Sequence, residues 1–443
     1  MPGPLDYYFP SHACIACFMK PRHLSVTDGC NVKVEGTMAG IQKSLLILAF
    51  LNGVTFGLLI SVLAPFMYEA GFSGTEFGLL TSGSVASSIA ATVLSGYLSD
   101  ALGARRVLFA GYIVKALAFT LIASGNTALM AIGFLLQGIS MGVSWSAGSA
   151  LVSRSGRDET LHFTFSYFAA ASTLGAALGS FSGGLPVAAS KFLGVELLNA
   201  YRTIILALAP LSLIQAFIAL LVREFIVGGR ARSPISGYAK VLRERRFLVL
   251  LAFNMVIGLG ASMSIHNIGY YFAAKYGVTS AEIGFVNGLE QLVMALLMIY
   301  TPRIASVLGS PLKAYLFLAS SSIPLLVAIT FVDSFLLAAG LYVVRTILMN
   351  AANPLLEAIT LKQVPRAMRG SAASLLSLSF TVPAALGRSL GGFMLDIDLE
   401  LPLRTTALLY LTALSYLYTR KDFIEGKKEP KEPRKAEAPI VQA

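Results

Sequence analysis

Apolar stretches long enough to cross a lipid bilayer follow one another along most of this chain. A helix of about 20 predominantly apolar residues spans the hydrocarbon core of a membrane. Stretches of that kind are predicted at twelve places: 44–67, 78–98, 107–125, 128–150, 161–186, 202–222, 247–272, 282–303, 312–330, 334–356, 371–394 and 404–420. The sequence therefore predicts an all-α membrane protein with twelve transmembrane helices.

The composition excludes an ordinary soluble protein. Hydrophobic residues make up 56% of the 443 residues, and charged residues only 13%. The net charge of +11 would by itself suggest a nucleic-acid partner. With both termini placed in the cytoplasm, however, 27 of the 34 lysines and arginines fall in predicted inner segments, as the positive-inside rule requires. We therefore expect a multi-pass protein of the plasma membrane with no nucleic-acid partner.

The division of the chain follows from these spans. Residues 44–222 and 247–420 are predicted to form two six-helix bundles, joined by a basic cytoplasmic connector at 223–246. Residues 421–443 are charged and contain prolines, so a disordered tail is expected there.

The first 43 residues form an N-terminal tail without an apolar span. Three interpretations stay open: an extension upstream of a natural start at Met38, a disordered tail, or a zinc site. The zinc ligands would be His12, Cys14, Cys17, His23 and Cys30. Their spacing fits no standard zinc template, and we predict no metal site and no cofactor.

Two eight-residue segments recur at nearly the same separation. Residues 71–78 (GFSGTEFG) match residues 277–284 (GVTSAEIG), which lie 206 positions later. Residues 174–181 (LGAALGSF) match residues 386–393 (LGRSLGGF), which lie 212 positions later. Because each half has an even number of helices, both copies enter the membrane from the same side. The sequence predicts two bundles related by a parallel pseudo-two-fold repeat, with a site between them.

A glycine- and arginine-containing segment joins the second and third spans. It reads GYLSDALGARR over residues 96–106, which resembles the G-x-L-x-D-x-x-G-R-[RK]-[RK] signature of the major facilitator superfamily, with Ala104 at the first basic position. The resemblance covers about residues 44 to 420. It implies a secondary transporter whose bundles expose a central site alternately to each side. It also implies a gating motif that latches the inner gate, carried by Gly96, Asp100, Gly103, Arg105 and Arg106.

Glycines at a spacing of four lie in the fifth and eleventh spans, where they allow helix backbones to approach closely. These predicted packing residues are Gly175, Gly179, Gly387 and Gly391. The fifth span also resembles the glycine-rich antiporter motif of drug exporters, but here Pro186 follows the glycine pair. Multidrug efflux is therefore an alternative function rather than the leading one.

Polar residues inside a span are candidates for substrate binding or ion coupling, because a charge at bilayer depth is costly. Glu290 is the candidate protonation switch, with a permanent ion pair to Arg345 or Arg388 as the alternative. For His266 the alternative is a hydrogen-bonded packing role. The full set of candidates is Arg345, Glu290, Arg388, His266, Asn287, Asn350, Asn52, Gln137 and Trp145. Lys115, in the third span, is expected to snorkel toward the membrane surface.

Arginines outnumber the single acid among these candidates, which favours an anionic or zwitterionic organic solute held by guanidinium groups. The sequence thus predicts a monomeric secondary transporter in the lipid bilayer, with protons as the candidate coupling ion. A non-transporting membrane sensor is the alternative from another class. An enzyme is not expected, because no nucleophile–base pair or metal-ligand set recurs at matching depth.

Overall fold

The computed structural model describes residues 43–155, 161–222, 240–298, 307–365 and 368–426. The first half of the chain contributes helices α1 to α6. Helix α5 consists of Leu161–Phe181, a 3₁₀ turn at Ser182–Gly184 and a continuation over Leu185–Leu193. The other five are α1 (Lys43–Glu69), α2 (Gly74–Leu102), α3 (Ala104–Ala123), α4 (Thr127–Ser155) and α6 (Leu197–Leu221).

The second half repeats this layout with helices α7 to α12. Helix α7 consists of Arg245–Ser264, a 3₁₀ turn at Ile265–Asn267 and a continuation over Ile268–Tyr276. The other five are α8 (Ser280–Met298), α9 (Pro311–Thr330), α10 (Phe335–Lys362), α11 (Arg369–Ile397) and α12 (Leu401–Thr419). The twelve predicted spans correspond to these helices one to one, and the predicted fold class is confirmed.

Helix α5 differs from its predicted form, which was one continuous span. The helix is interrupted at Ser182–Gly184 and starts again at Leu185. Pro186 stands in the first turn of the new segment, where its missing N–H costs no helical hydrogen bond. The glycine pair at 183 and 184, two residues before Pro186, explains why the helix is interrupted there.

Within the described residues, eight of the twelve helices are long and apolar enough to cross a membrane by themselves. The other four are α5, α8, α11 and α12. Two of these carry a charge within the span, Glu290 in α8 and Arg388 in α11. Three of them, α5, α8 and α11, also contact helices of the other half.

The helix pairings repeat from one half to the other. Helix α1 packs along α5 and α7 packs along α11, while α3 packs on α4 and α6 as α9 packs on α10 and α12. These equivalent pairings are what a parallel repeat requires.

Several predicted segments fall outside the described residues. The structure does not describe the tail before Lys43, most of the connector at 223–239, or residues 427–443. The start of the predicted disordered tail is a short helix instead, α13 (Lys421–Glu425). It is ordered because Ile424 is buried and Glu425 accepts a hydrogen bond of 2.5 Å from the Ser310 hydroxyl.

Candidate functional site

The two halves of the molecule meet along two seams. We call the side of the bundle where α1 begins and α12 ends the terminal side, and the other the opposite side. Both seams lie toward the opposite side. The first seam joins the start of α2 to the end of α11, and the second joins the end of α5 to the start of α8.

At the first seam, a carboxylate of one half caps a helix of the other. The Asp396 carboxylate accepts hydrogen bonds from the backbone nitrogens of Gly74 and Thr75, at 2.7 and 2.8 Å, and from the Thr75 hydroxyl at 2.5 Å. The first amides of a helix have no partner within it, and the helix dipole favours an anion there. Deeper in the seam, the Ser389 hydroxyl donates to the Ser82 hydroxyl at 2.6 Å. The first seam is therefore held by polar contacts.

At the second seam, the backbones of α5 and α8 approach each other closely. The Ser280 hydroxyl donates to the Gly183 carbonyl at 2.6 Å. A Cβ atom added to Gly284 would lie only 2.3 Å from the Ser180 carbonyl oxygen. Between the seams, the Tyr270 hydroxyl donates at 2.8 Å to the carbonyl of Phe72 in the other half. These contacts hold the two halves together on the opposite side.

A cavity of about 820 Å³ lies on the other side of these contacts. Its walls come from α1 to α5 and from α11. It extends to Leu45, two residues after the start of α1, and so reaches the terminal side. The bundle is therefore closed on the opposite side while the cavity reaches the terminal side.

Three of the predicted site residues line this cavity: Asn52, Gln137 and Trp145. Trp145 is the one tryptophan of the chain, and 74% of its surface is exposed. The Gln137 side-chain oxygen accepts a hydrogen bond of 2.5 Å from the Ser84 hydroxyl.

Lys115 also lines the cavity, and here the sequence-based expectation was wrong. The residue does not snorkel, because only 8% of its surface is exposed. Its Nζ donates to Asn52 Oδ1 at 3.0 Å, to Thr55 Oγ1 at 2.7 Å and to Gln215 Oε1 at 3.3 Å. These acceptors come from α1 and α6, so the three donors of the ammonium are satisfied inside the protein rather than at the membrane surface.

The second half holds a separate group of buried polar side chains. Only 2% of the surface of Arg345 is exposed, and its Nε and Nη2 have no hydrogen-bond partner. Its guanidinium carbon lies 5.4 Å from the ring centroid of Tyr410. The Glu290 carboxylate faces the Tyr342 hydroxyl and the Arg345 guanidinium.

The permanent ion pair considered for Glu290 is absent. In the described residues, no carboxylate oxygen lies within 4.0 Å of a guanidinium nitrogen of Arg345 or Arg388. The Nε of Arg388 is likewise buried without a hydrogen-bond partner. The guanidinium groups are thus left without an anion at contact distance.

The remaining candidates make hydrogen bonds in and around this region. His266 lies in the 3₁₀ turn of α7, with its Nδ1 3.3 Å from both the Ser262 hydroxyl and the Ala261 carbonyl oxygen. Asn287, in α8, donates to the hydroxyl of Ser61, in α1 of the other half, at 3.4 Å.

Asn350 takes part in a contact within its own helix, accepting a hydrogen bond of 3.3 Å from the Asn353 side chain. The described lining of the large cavity includes none of Arg345, Glu290, Arg388, His266, Asn287 and Asn350. The sequence candidates therefore divide between the cavity wall and a separate region of the second half.

The four glycines predicted to pack helices all lie against a neighbouring backbone. A Cβ atom added to any of them would fall between 2.0 and 2.5 Å from a carbonyl oxygen. For Gly175, Gly179, Gly387 and Gly391 these oxygens belong to Phe50, Val54, Leu259 and Met263 respectively. Equivalent glycines thus hold α5 on α1 and α11 on α7.

The predicted gating motif lies on the terminal side, between α2 and α3. Gly103 has a φ of 91°, which disfavours any residue with a side chain, and α3 starts directly after it. The Arg105 guanidinium donates to the Leu220 carbonyl at 3.3 Å. Gly96 lies within α2 near Ser146, while Asp100 and Arg106 are exposed.

A protein-family model described as the Major Facilitator Superfamily matches residues 45–387 and 250–442. The chain belongs to the major facilitator superfamily. It is 22% identical over 378 residues to an uncharacterised MFS-type transporter of Methanocaldococcus jannaschii, covering 81% of this chain and 93% of that protein. The resemblance found in the motif is thereby confirmed, and this MFS chain is a membrane transporter of some solute.

Solved structures agree with the fold of this MFS chain. A bacterial homologue of the human lysosomal transporter Spinster, in an inward-facing and unoccupied conformation, matches with a TM-score of 0.72 at 13% identity. The match covers 91% of this chain and 100% of that one. The nucleoside transporter NupG matches with a TM-score of 0.65 at 16% identity, over 87% of this chain and 98% of that one. At these identities the likeness establishes the fold alone.

Proposed function

We propose that this protein is a secondary active transporter of a small organic anion or zwitterion. The observation that carries this proposal is the 820 Å³ cavity, which reaches one side of the bundle while two seams close the other. Among the described residues that line it, Lys115 is the one charged side chain. A cavity with a cationic wall and no carboxylate among those residues favours an anionic group and disfavours a cation.

Alternating access follows from the same arrangement. If both termini lie in the cytoplasm of the plasma membrane, as the distribution of basic residues indicates, the cavity is open inward. Rocking of the two bundles would separate the seams and bring the terminal ends of the helices together. In that second state we assign the latch to the motif on the terminal side, with Asp100, Arg105 and Arg106 as its charged members.

Uptake into proteoliposomes tests the substrate class. Organic anions, amino acids, sugars and lipophilic cations should be compared at equal concentration, with and without an imposed pH gradient. We expect organic anions or zwitterions to accumulate above the level of protein-free liposomes, because the cavity wall is cationic. Preferred uptake of lipophilic cations would contradict the proposal and favour multidrug efflux. Absence of flux for every class would favour a non-transporting sensor.

We also propose that Glu290 couples transport to protons. Its carboxylate faces a hydroxyl and a guanidinium without a contact ion pair, so both its charged and its protonated form find a polar partner. Arg345 would offset the charge of the carboxylate when the proton leaves. This arrangement differs from a fixed salt bridge, in which protonation would break an existing contact.

Glu290→Gln is expected to abolish the dependence of uptake on a pH gradient while leaving substrate exchange between the two sides intact. The amide keeps the shape of a protonated carboxyl group but cannot release a proton. The measurement is uptake and exchange of the best substrate in the same proteoliposomes. Glu357→Gln, at an exposed position of α10, is the matched control and should behave as the wild type. A Glu290→Gln protein with unchanged gradient-driven uptake would show that the coupling residue lies elsewhere.

A further inference from the structure

We propose that Lys115 holds the negatively charged group of the substrate, and that the substrate is a monoanion with an aromatic or apolar body that extends toward Trp145. This inference rests on the proposed transport function and specifies the ligand of the same cavity. The positive charge that binds the anionic substrate then comes from Lys115 in α3 of the first half, and not from the arginines of the second half.

The surroundings of Lys115 orient its ammonium group but do not neutralise it. Its three hydrogen-bond acceptors are the side-chain oxygens of Asn52, Thr55 and Gln215, all of them neutral. The rings of Tyr112 and Phe119 lie 5.5 and 5.9 Å from Nζ and add a weak attraction. Burying a charge without a counter-ion is costly. An anion that enters the cavity would supply the missing counter-charge.

The exposed Trp145 and the polar side chains of the cavity wall lie at different depths. Lys115, Asn52 and Gln137 lie in its deeper part, next to the apolar side chains of Phe56, Leu59 and Phe119. Trp145 follows Gln137 by eight residues along α4, which is about 12 Å nearer the terminal side. Phe165 and Phe168, near the terminal-side start of α5, lie on the same wall. A ligand that reaches from the lysine to these rings needs a charged head and an apolar body.

The exposure of Trp145 supports this orientation. A tryptophan with 74% of its surface exposed inside a cavity leaves a large apolar area in contact with water. Exposed apolar surface in a concave site is typical of ligand binding. A small inorganic anion would leave this aromatic surface uncovered, and an apolar cation would meet the ammonium of Lys115. A monoanion with an apolar body satisfies both parts of the wall.

The test uses four probes that separate head from body. Phenylbutyrate carries both, phenylbutanol and phenylbutylamine carry the same body with a neutral and a cationic head, and butyrate carries the head alone. Binding of each probe to the purified full-length protein is measured by isothermal titration calorimetry, and because the chain has one tryptophan, its intrinsic fluorescence reports which probes lie beside Trp145. We expect phenylbutyrate to bind at least about tenfold more tightly than each of the other three probes, a difference that one favourable charge contact supplies.

Lys115→Met removes the ammonium and keeps an unbranched side chain of similar length. We expect it to abolish the preference for phenylbutyrate over phenylbutanol, while Lys191→Met, at an exposed position on the opposite side, keeps that preference. Thermal melting of both variants shows whether they remain folded. The probe series on the wild type does not depend on either variant, so it tests the ligand class even if Lys115→Met is unstable.

Each result bears on a separate statement. Equal or tighter binding of the alcohol or the amine by the wild type would overturn the anionic head, and equal binding of butyrate would overturn the apolar body. A folded Lys115→Met protein that keeps the preference would overturn the role of Lys115. If the expected binding pattern appears but no substrate enters proteoliposomes, the transport function fails while the ligand assignment stands.

Discussion

Asp396→Ala is expected to separate the first seam and to reduce transport strongly. The substitution removes three hydrogen bonds between the halves, to the nitrogens of Gly74 and Thr75 and to the Thr75 hydroxyl. Losing a charged cap at a helix N-terminus costs about 2 kcal/mol, which would shift the balance between closed and open forms roughly thirtyfold. Helix α2 itself should stay folded, because Ser73 and Glu76 form their own capping box at its start.

The separation can be measured with spin labels on the opposite side. Phe192 in the first half and Leu336 in the second are exposed there and suit labelling once the native cysteines are replaced. Asp396→Ala should move the distance distribution toward longer values and lower the rate of uptake. Asp398→Ala is the matched control, because this neighbouring carboxylate bonds to Glu400 and Arg404 within its own half. Unchanged distances and uptake in Asp396→Ala would show that the cap does not hold the seam.

Gly179→Ala is expected to destabilise the first half, although alanine is the better helix former by about 1 kcal/mol. Its Cβ would lie 2.2 Å from the Val54 carbonyl oxygen and 2.9 Å from the Leu58 nitrogen. Both atoms belong to the backbone of α1 and cannot rotate away, so the helix would have to move. Overpacking of this kind costs about 1–3 kcal/mol, and the steric cost should exceed the gain in helix propensity.

The measurement is the melting temperature in detergent, together with the yield of folded protein. Gly391→Ala should behave in the same way, because its Cβ would lie 2.0 Å from the Met263 carbonyl oxygen at the equivalent contact of the second half. Gly340→Ala is the control: no heavy atom lies within 4 Å of its added Cβ, so its melting temperature should be unchanged or higher. If Gly179→Ala melts at or above the wild-type temperature, the close contact of α1 and α5 is not a steric constraint.

The number and order of the helices could be predicted because both depend on local sequence. The length of an apolar stretch fixes whether it can span a bilayer, and the matching segments near Gly71 and Gly277 reveal the repeat without any structural information. Glycines such as Gly175 and Gly387 could be assigned to helix packing for the same reason, since spacing along one helix is visible in the sequence. The interruption of α5 could not be predicted in this way, because each apolar span was treated as one continuous helix.

The role of Lys115 could not be predicted from its own helix. Depth along α3 suggests snorkelling, but whether a lysine reaches water or the protein interior depends on which helix it faces. Its acceptors Thr55 and Gln215 lie 60 and 100 residues away in sequence, in α1 and α6. Thr55 and Gln215 are polar residues inside predicted apolar spans, and each needs a hydrogen-bond partner in a membrane. These two residues were the sequence feature from which a buried partner such as Lys115 could have been inferred.

Asp396 was missed for a related reason. Its position at the end of the eleventh span is typical of an acidic residue in a solvent-exposed loop. Its hydrogen-bond partners in α2 lie more than 300 residues earlier in the chain. Only the meeting of the two halves makes it a helix cap. Conversely, Arg345 and Arg388 stood out as rare charges in the sequence, but the structure places them outside the described wall of the large cavity.

The composition of the two seams affects the rate at which the two halves can separate. Where α2 meets α11 and α5 meets α8, the closest contacts are those of glycines with the backbone of the facing helix, as at Gly78, Gly392, Gly183 and Gly284. Interlocked large side chains would have to change rotamer before such helices could part, whereas smooth surfaces of this kind slide apart without that step. Separation of the halves must still break the hydrogen bonds of the seams and the ring contacts of Phe181 with Phe285 and of Phe77 with Tyr270, so the activation barrier of the rocking motion depends on these contacts rather than on interlocked helix backbones.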